Sequence, residues 1–120
     1  SFWVSEHSLI PLHTTSDPFR RPPEEGIPPA YAHIVDPFVA LARASAVTET
    51  IKLGTGVCLV PEHNPLRLAK EVATLDHFSG GRFIFGIGSG WLKEETEIMG
   101  GDFPHRWTQT EVDPEIRTGS

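Results

Sequence analysis

Apolar and polar positions along the chain alternate between two periods. Phe2-Trp3-Val4 is a short aromatic and β-branched run that ends at Ser5-Glu6-His7, which predicts a strand. Asp36-Pro37 reads as a helix cap with proline at the first helical position. Phe38, Leu41, Ala42 and Ser45 then recur on one face, so a helix is expected to about Thr48. Ile51 to Val60 is apolar on both alternations and contains Gly54 and Gly56, the pattern of a central strand buried on both faces and closely approached by other backbone. Asn64-Pro65 repeats the cap, and Leu68, Val72 and Leu75, with Ala69, form a helical stripe that stops at Ser79-Gly80-Gly81. Arg82 to Gly88 is again nearly continuous apolar sequence and predicts a third strand, with Glu94 to Met99 opening a further helix.

Strand, helix, strand, helix, strand with short links implies parallel pairing and right-handed crossovers. A doubly wound sheet and a (β/α)8 barrel share that local pattern, and periodicity does not separate them. In both, ligands meet the carboxyl ends of the strands. Ser5-Glu6-His7, Val60 to Asn64, and Gly88-Ser89-Gly90-Trp91 therefore share one rim. The stretch 11–35 carries six prolines between Pro11 and Pro29. Proline removes N–H donors and fixes φ, so this is a long loop, either a lid or a segment without one fixed shape.

The chain has 120 residues and a net charge of −6, with 38% hydrophobic and 22% charged residues, enough for one modest core. Its ten Lys and Arg are scattered, which argues against nucleic acid as a partner. The single cysteine, Cys58, lies in an apolar run and reads as a packed thiol, in keeping with a reducing cytoplasm. Neither a membrane-spanning run nor a basic-then-apolar secretion signal is present. The chain opens on Phe2-Trp3-Val4 without an initiator Met, which reads like the middle of a strand, so a fragment or a naturally short version of a larger fold is expected.

Candidate chemistry is sparse. Gly86, Gly88 and Gly90 suggest a dinucleotide fingerprint, but that motif needs its third glycine where Trp91 stands. A glycine-rich strand end still admits a flat ring or a phosphate to backbone N–H groups; a plain turn is equally in keeping with it. His7, beside Glu6 at a strand end, has the imidazole chemistry of an acid, base or hydrogen-bond donor, although such a histidine is more often merely satisfied. The histidines His7, His13, His33, His63, His77 and His105 show no H-E-x-x-H spacing and no cysteine pair, so no metal site is expected.

Ser5-Glu6-His7, Asp36-Pro37-Phe38-Val39-Ala40-Leu41, Leu53-Gly54-Thr55-Gly56-Val57, Asn64-Pro65-Leu66-Arg67 and Leu75-Asp76-His77-Phe78-Ser79-Gly80-Gly81-Arg82, in this order and spacing, resemble the luciferase-like monooxygenase superfamily, especially its coenzyme F420-dependent oxidoreductases. The resemblance covers residues 2 to about 106. It implies a partial TIM (β/α)8 barrel, a βαβαβ arc matching strands two to four, with residues 1–106 as the barrel portion and 107–120 as an irregular tail. It further implies a flavin- or F420-dependent oxidoreductase or monooxygenase that transfers hydride between a reduced cofactor and a small organic substrate, with F420 favoured and FMN as the alternative.

The implied catalytic residue is His7, and the implied cofactor contacts are Glu6, His7, Gly56, Val57, Gly88 and Ser89, with a cis peptide at Gly56–Val57. A full barrel takes about 250 residues. The arc alone leaves parallel edges open, which predicts a homo-oligomer and makes a non-catalytic, self-associating fragment the competing expectation.

Overall fold

The computed structural model describes residues 1–12 and 27–111. Residues 13–26, which include His13 and most of the proline-rich loop, and the C-terminal 112–120 lie outside them.

Two capped helices pack on parallel strands. Helix α1 (Pro37–Val47) starts where Asp36 Oδ1 accepts the Val39 N–H at 2.9 Å, with Pro37 at the first turn. Helix α2 (Pro65–Ser79) starts where Asn64 Oδ1 accepts from the Leu66 and Arg67 N–H groups, both at 3.1 Å. It ends at Gly80, whose φ of 63° is the left-handed cap that glycine adopts freely, and the Gly81 N–H closes onto Asp76 O at 2.9 Å. Phe38, Leu41 and Ser45 on α1 and Leu68, Val72, Leu75 and Ser79 on α2 are buried, as the helical stripes require.

Strands β1 (Phe2–Val4), β2 (Leu53–Thr55) and β4 (Phe83–Ile84) form one parallel sheet in the order β1-β2-β4; β3 (Cys58–Leu59) and β5 (Ile87–Gly88) pair in parallel beyond it. The strands expected over Ile51–Val60 and Arg82–Gly88 are thus each broken in two. The first break holds a cis peptide bond at Gly56–Val57, as the resemblance implied. At the second, the buried Thr55 hydroxyl intrudes on the ladder: its Oγ1 donates to Gly86 O at 2.7 Å and accepts from Gly86 N at 3.0 Å.

The register records the consequence. Leu53 is opposite Phe83, whereas Cys58 is opposite Ile87, so the Leu53-to-Cys58 stretch carries one residue more than its partner. A one-residue offset turns side chains to the other face. Leu53 and Cys58, five positions apart and on opposite faces of an unbroken strand, therefore both enter the core with Val4, Phe38, Leu41, Val60, Leu68, Val72 and Leu75.

Arg82 locks the end of this unit away from the rim. Its guanidinium donates to Ser79 O (2.7 Å), Thr48 Oγ1 (2.8 Å), Ile51 O (3.2 Å), Ser45 O (3.1 Å) and Thr48 O (3.1 Å), tying the ends of both helices to the entry of β2. Beyond β5 come α3 (Lys93–Ile98) and α4 (Arg106–Thr110), so the irregular tail expected from Trp107 begins instead as a short helix. Part of the expected 11–35 loop is likewise ordered, as a 3-10 turn over Pro29–His33. Among the described residues no helix is long and apolar enough to cross a membrane.

Candidate cofactor site

At the carboxyl ends of the strands the chain leaves β1 as Ser5-Glu6-His7, and each of these residues is held differently. The Ser5 hydroxyl donates to Gly56 O at 3.1 Å, fixing the rim beside the cis bond. Glu6 turns inward and is buried; one carboxylate oxygen accepts the Leu59 N–H at 2.5 Å and the other lies 2.6 Å from His63 Nε2. Burial alone would lower the His63 pKa, but the bond to Glu6 and the Glu6 charge outweigh it and raise the pKa above its ordinary value.

Cys58 is fully buried near the same carboxylate. Burial, then the charge and hydrogen bond of Glu6, push its thiol far above the ordinary range, so it stays protonated. Glu6, Cys58 and His63 bring their ligand atoms within 4.8 Å of one another, a grouping the sequence spacing did not disclose. The carboxylate there already accepts hydrogen bonds on both oxygens, which makes the group a closed polar cluster.

His7 points the other way. Its Nδ1 lies 2.7 Å from Glu95 Oε2, and Glu95 Oε1 accepts the backbone N–H groups of Ser8 at 2.5 Å and Leu9 at 3.3 Å. Glu95 is fully buried on α3. An ionised carboxylate can only accept, so the neutral imidazole carries its hydrogen on Nδ1 and offers a lone pair at Nε2. Two aromatic rings brace it edge-on: Tyr31 with centroids 5.2 Å apart at 68°, and Trp91 at 5.5 Å and 72°.

Between these groups lies a cavity of about 410 Å³ lined by Ser5, Glu6, His7, Tyr31, Ile34, Gly56, Val57, Leu59, Gly90 and Trp91. A neighbouring cavity of about 450 Å³ shares Glu6, His7 and Ile34 and adds Glu62, His63, Asn64 and Arg67 among others. Both fall in the size range of small-molecule sites.

A family model of luciferase-like monooxygenases matches residues 1–111. The chain belongs to that family. It is 43% identical over 100 residues to an uncharacterised protein of Mycobacterium tuberculosis, a match covering 79% of this chain and 34% of the relative. It is 41% identical over 69 residues to limonene 1,2-monooxygenase of Rhodococcus erythropolis, covering 58% of this chain and 18% of that enzyme. The fold resembles the type II Baeyer–Villiger monooxygenase that is the oxygenating constituent of 3,6-diketocamphane monooxygenase from Pseudomonas putida, solved with FMN, with a TM-score of 0.60 and 23% identity over 82% of this chain and 22% of that one. The matched region thus spans about a third or less of the length of these relatives.

Within this luciferase-like chain, the structure brings Glu6, His7, Gly56 and Val57 to one cavity. Gly88 stands next to it: a Cβ there would lie 2.5 Å from Val57 Cγ2, so the bare backbone lets Val57 take its place. Ser89 is buried and does not line the cavity. Glu95, Glu62 and Tyr31 were missed as site residues. Glu95 stands in a Lys93-Glu94-Glu95 run that reads as a solvated helix start, and Tyr31 lies among prolines. Only their three-dimensional placement distinguishes them.

Proposed function

We propose that this chain supplies one wall of a flavin site in a luciferase-like monooxygenase, acting on a small organic substrate, and that its strands correspond to the second through fourth of a (β/α)8 barrel. The observation that carries this reading is the cavity shared by His7 and the Gly56–Val57 bond. Gly56 and Gly90 put backbone rather than side chains on its wall, Val57 and Trp91 give apolar surface, and Tyr31 and Trp91 hold the imidazole, a donor set that fits a flat heteroaromatic ring. FMN is favoured over F420 because FMN accompanies the solved relative and the named relatives are monooxygenases.

When bound, the flavin supplies the redox chemistry, delivering an electron pair toward a small organic substrate or dioxygen. His7 serves as hydrogen-bond acceptor or base at Nε2, its ring orientation set by Glu95. Val57, Trp91 and Tyr31 exclude water from the ring. Glu6 acts from inside, holding the rim through the Leu59 N–H and His63.

The test is titration of the purified chain with FMN and, separately, F420, read by flavin and Trp fluorescence. Saturable FMN binding that weakens about tenfold or more in His7→Ala is expected, a loss of about 1.4 kcal/mol. Preference for F420 would replace the proposed cofactor, and absence of saturable binding by either at millimolar concentration would overturn the reading.

The sheet order β1-β2-β4, with Phe2 and Trp3 on β1 about half exposed, favours a second role in assembly through the open edges. Light scattering on the same samples tests it; a monomer at micromolar concentration would exclude it.

A further inference from the structure

The 3-10 turn Val60–Glu62 that follows β3 delivers Glu62 into the interior, where it is 4% exposed and its Oε1 has no hydrogen-bond partner. A buried, ionised carboxylate with an empty oxygen is costly. From α3 the Glu95 carboxyl meets it by a side-chain hydrogen bond, and from the segment after β1 the Glu6 charge also bears on it, while a hydrogen bond from Ser8 favours its charged form. The cation on the neighbouring α4, Arg106, directs its guanidinium to the carbonyls of Gly90 at 3.1 Å and Phe103 at 3.0 Å. Lys93 on α3 lies 3.8 Å from Glu97, and Arg67 on α2 lies 3.4 Å from Glu71, both pairs at the surface. Two carboxyls at hydrogen-bonding range do not both ionise in such a place.

We propose that Glu62 and Glu95 share one proton, held by Glu62 and donated toward Glu95, and that Glu62 is thereby a positioning residue for His7. Glu95 already accepts from His7 Nδ1, Ser8 N and Leu9 N, four bonds in all with the Glu62 donor. The order is Glu62–H to Glu95, with His7 Nδ1–H to Glu95 from the other side. Burial foremost, then the charges of Glu95 and Glu6, raise the Glu62 pKa to about 8, which agrees with this arrangement. The shared proton keeps the Glu62–Glu95 pair at a single negative charge, with His7 Nδ1 held by Glu95 and Nε2 left toward the cavity. Loss of that proton places a second buried negative charge in the group and changes the electrostatics at His7 without any contact between Glu62 and a ligand. The inference deepens the flavin-site reading through His7, but its test reads protons on the chain itself and fails or holds independently of cofactor binding.

The experiment is NMR on the ¹³C,¹⁵N-labelled full chain without cofactor, following the Glu62 carboxyl carbon and both His7 ring nitrogens from about pH 4 to about pH 10, a span that brackets the ordinary Glu and His ranges. Expected are a Glu62 midpoint far above the ordinary carboxylate range and an inflection in the His7 nitrogen shifts at that same midpoint. Glu62→Gln, which keeps a hydrogen donor for Glu95, should retain the Nδ1–H tautomer and lose the inflection; Glu62→Ala should lose the inflection and weaken the tautomer preference. A Glu62 midpoint in the ordinary carboxylate range, or a His7 inflection that persists in Glu62→Gln, would overturn the proposal. The glutamine variant keeps the test decisive if the alanine variant does not fold.

Discussion

Glu95 Oε2 and His7 Nδ1 lie 2.7 Å apart, although 88 positions separate them in the chain. The contact joins the segment after β1 to α3 and makes the imidazole orientation a property of the fold.

Replacing Glu95 by glutamine should invert the His7 tautomer. The amide oxygen remains the better partner for the two N–H groups of Ser8 and Leu9, so its NH₂ turns to His7 and requires an acceptor at Nδ1. The ¹⁵N shifts of the ring report the exchange directly. Glu95→Ala leaves the donors of His7, Ser8 and Leu9, as well as Glu62, without their acceptor and should cost about 2 to 4 kcal/mol of stability, measured by urea denaturation.

Stability should fall as pH rises through neutrality. The Glu62 pKa is raised from 4.5 to about 8, so the folded chain binds a proton that the unfolded chain releases between those values. Its contribution is fully present below 4.5 and lost by about pH 8, on the order of several kcal/mol for such a shift. His63, also raised, adds stability present below 6.5 and lost as pH passes its folded pKa, and the buried Cys58 thiol acts in the same direction above 9.0. The urea midpoint should therefore be higher near pH 6 than near pH 9. Glu62→Gln should flatten most of the slope; an unchanged slope would remove Glu62 as its source.

Arg82→Ala should destabilise by about 1 to 3 kcal/mol, since it strands the partly buried carbonyls and the hydroxyl that the guanidinium joins. Arg82→Lys should recover little of this, because a single ammonium cannot reproduce the planar fork. Thermal melts of the two variants would compare them, and a near-native lysine variant would show that charge alone suffices.

Thr55→Val keeps the shape of a fully buried side chain but removes the hydroxyl that both donates to and accepts from Gly86. A loss of about 1 to 3 kcal/mol is expected, with Thr55→Ser much closer to the parent. Hydrogen exchange at the Gly86 amide gives the local readout.

Much of this was legible beforehand, and for identifiable reasons. Asp36-Pro37 and Asn64-Pro65 announce helices because an oxygen cap and a proline act within one turn. The Gly80 stop is equally local. Glu6 and His7 were placed on the rim because strand ends converge in any parallel α/β unit, whereas Gly56 and Val57 came only from the family resemblance. The breaks at Gly56–Val57 and Gly86 did not show in the hydrophobic pattern, since apolar residues continue through both. Glu62 and Glu95 were hidden for the opposite reason: charged residues in a turn and a first helical turn ordinarily face water, and their burial follows from how α3 and α4 close over the Val60–Glu62 turn. The trio of Glu6, Cys58 and His63 also needed the fold, because no spacing in the chain connects them.

The extra residue between Leu53 and Cys58 also governs how this unit can be transplanted. A designer who grafts the rim from Cys58 onward onto a parallel strand pair with uniform register would carry Cys58 to the outer surface and lead Glu6 away from the Leu59 amide it anchors. The rim and its offset form one inheritable block, and a homologue that loses a residue here must rebuild the whole lip of the pocket.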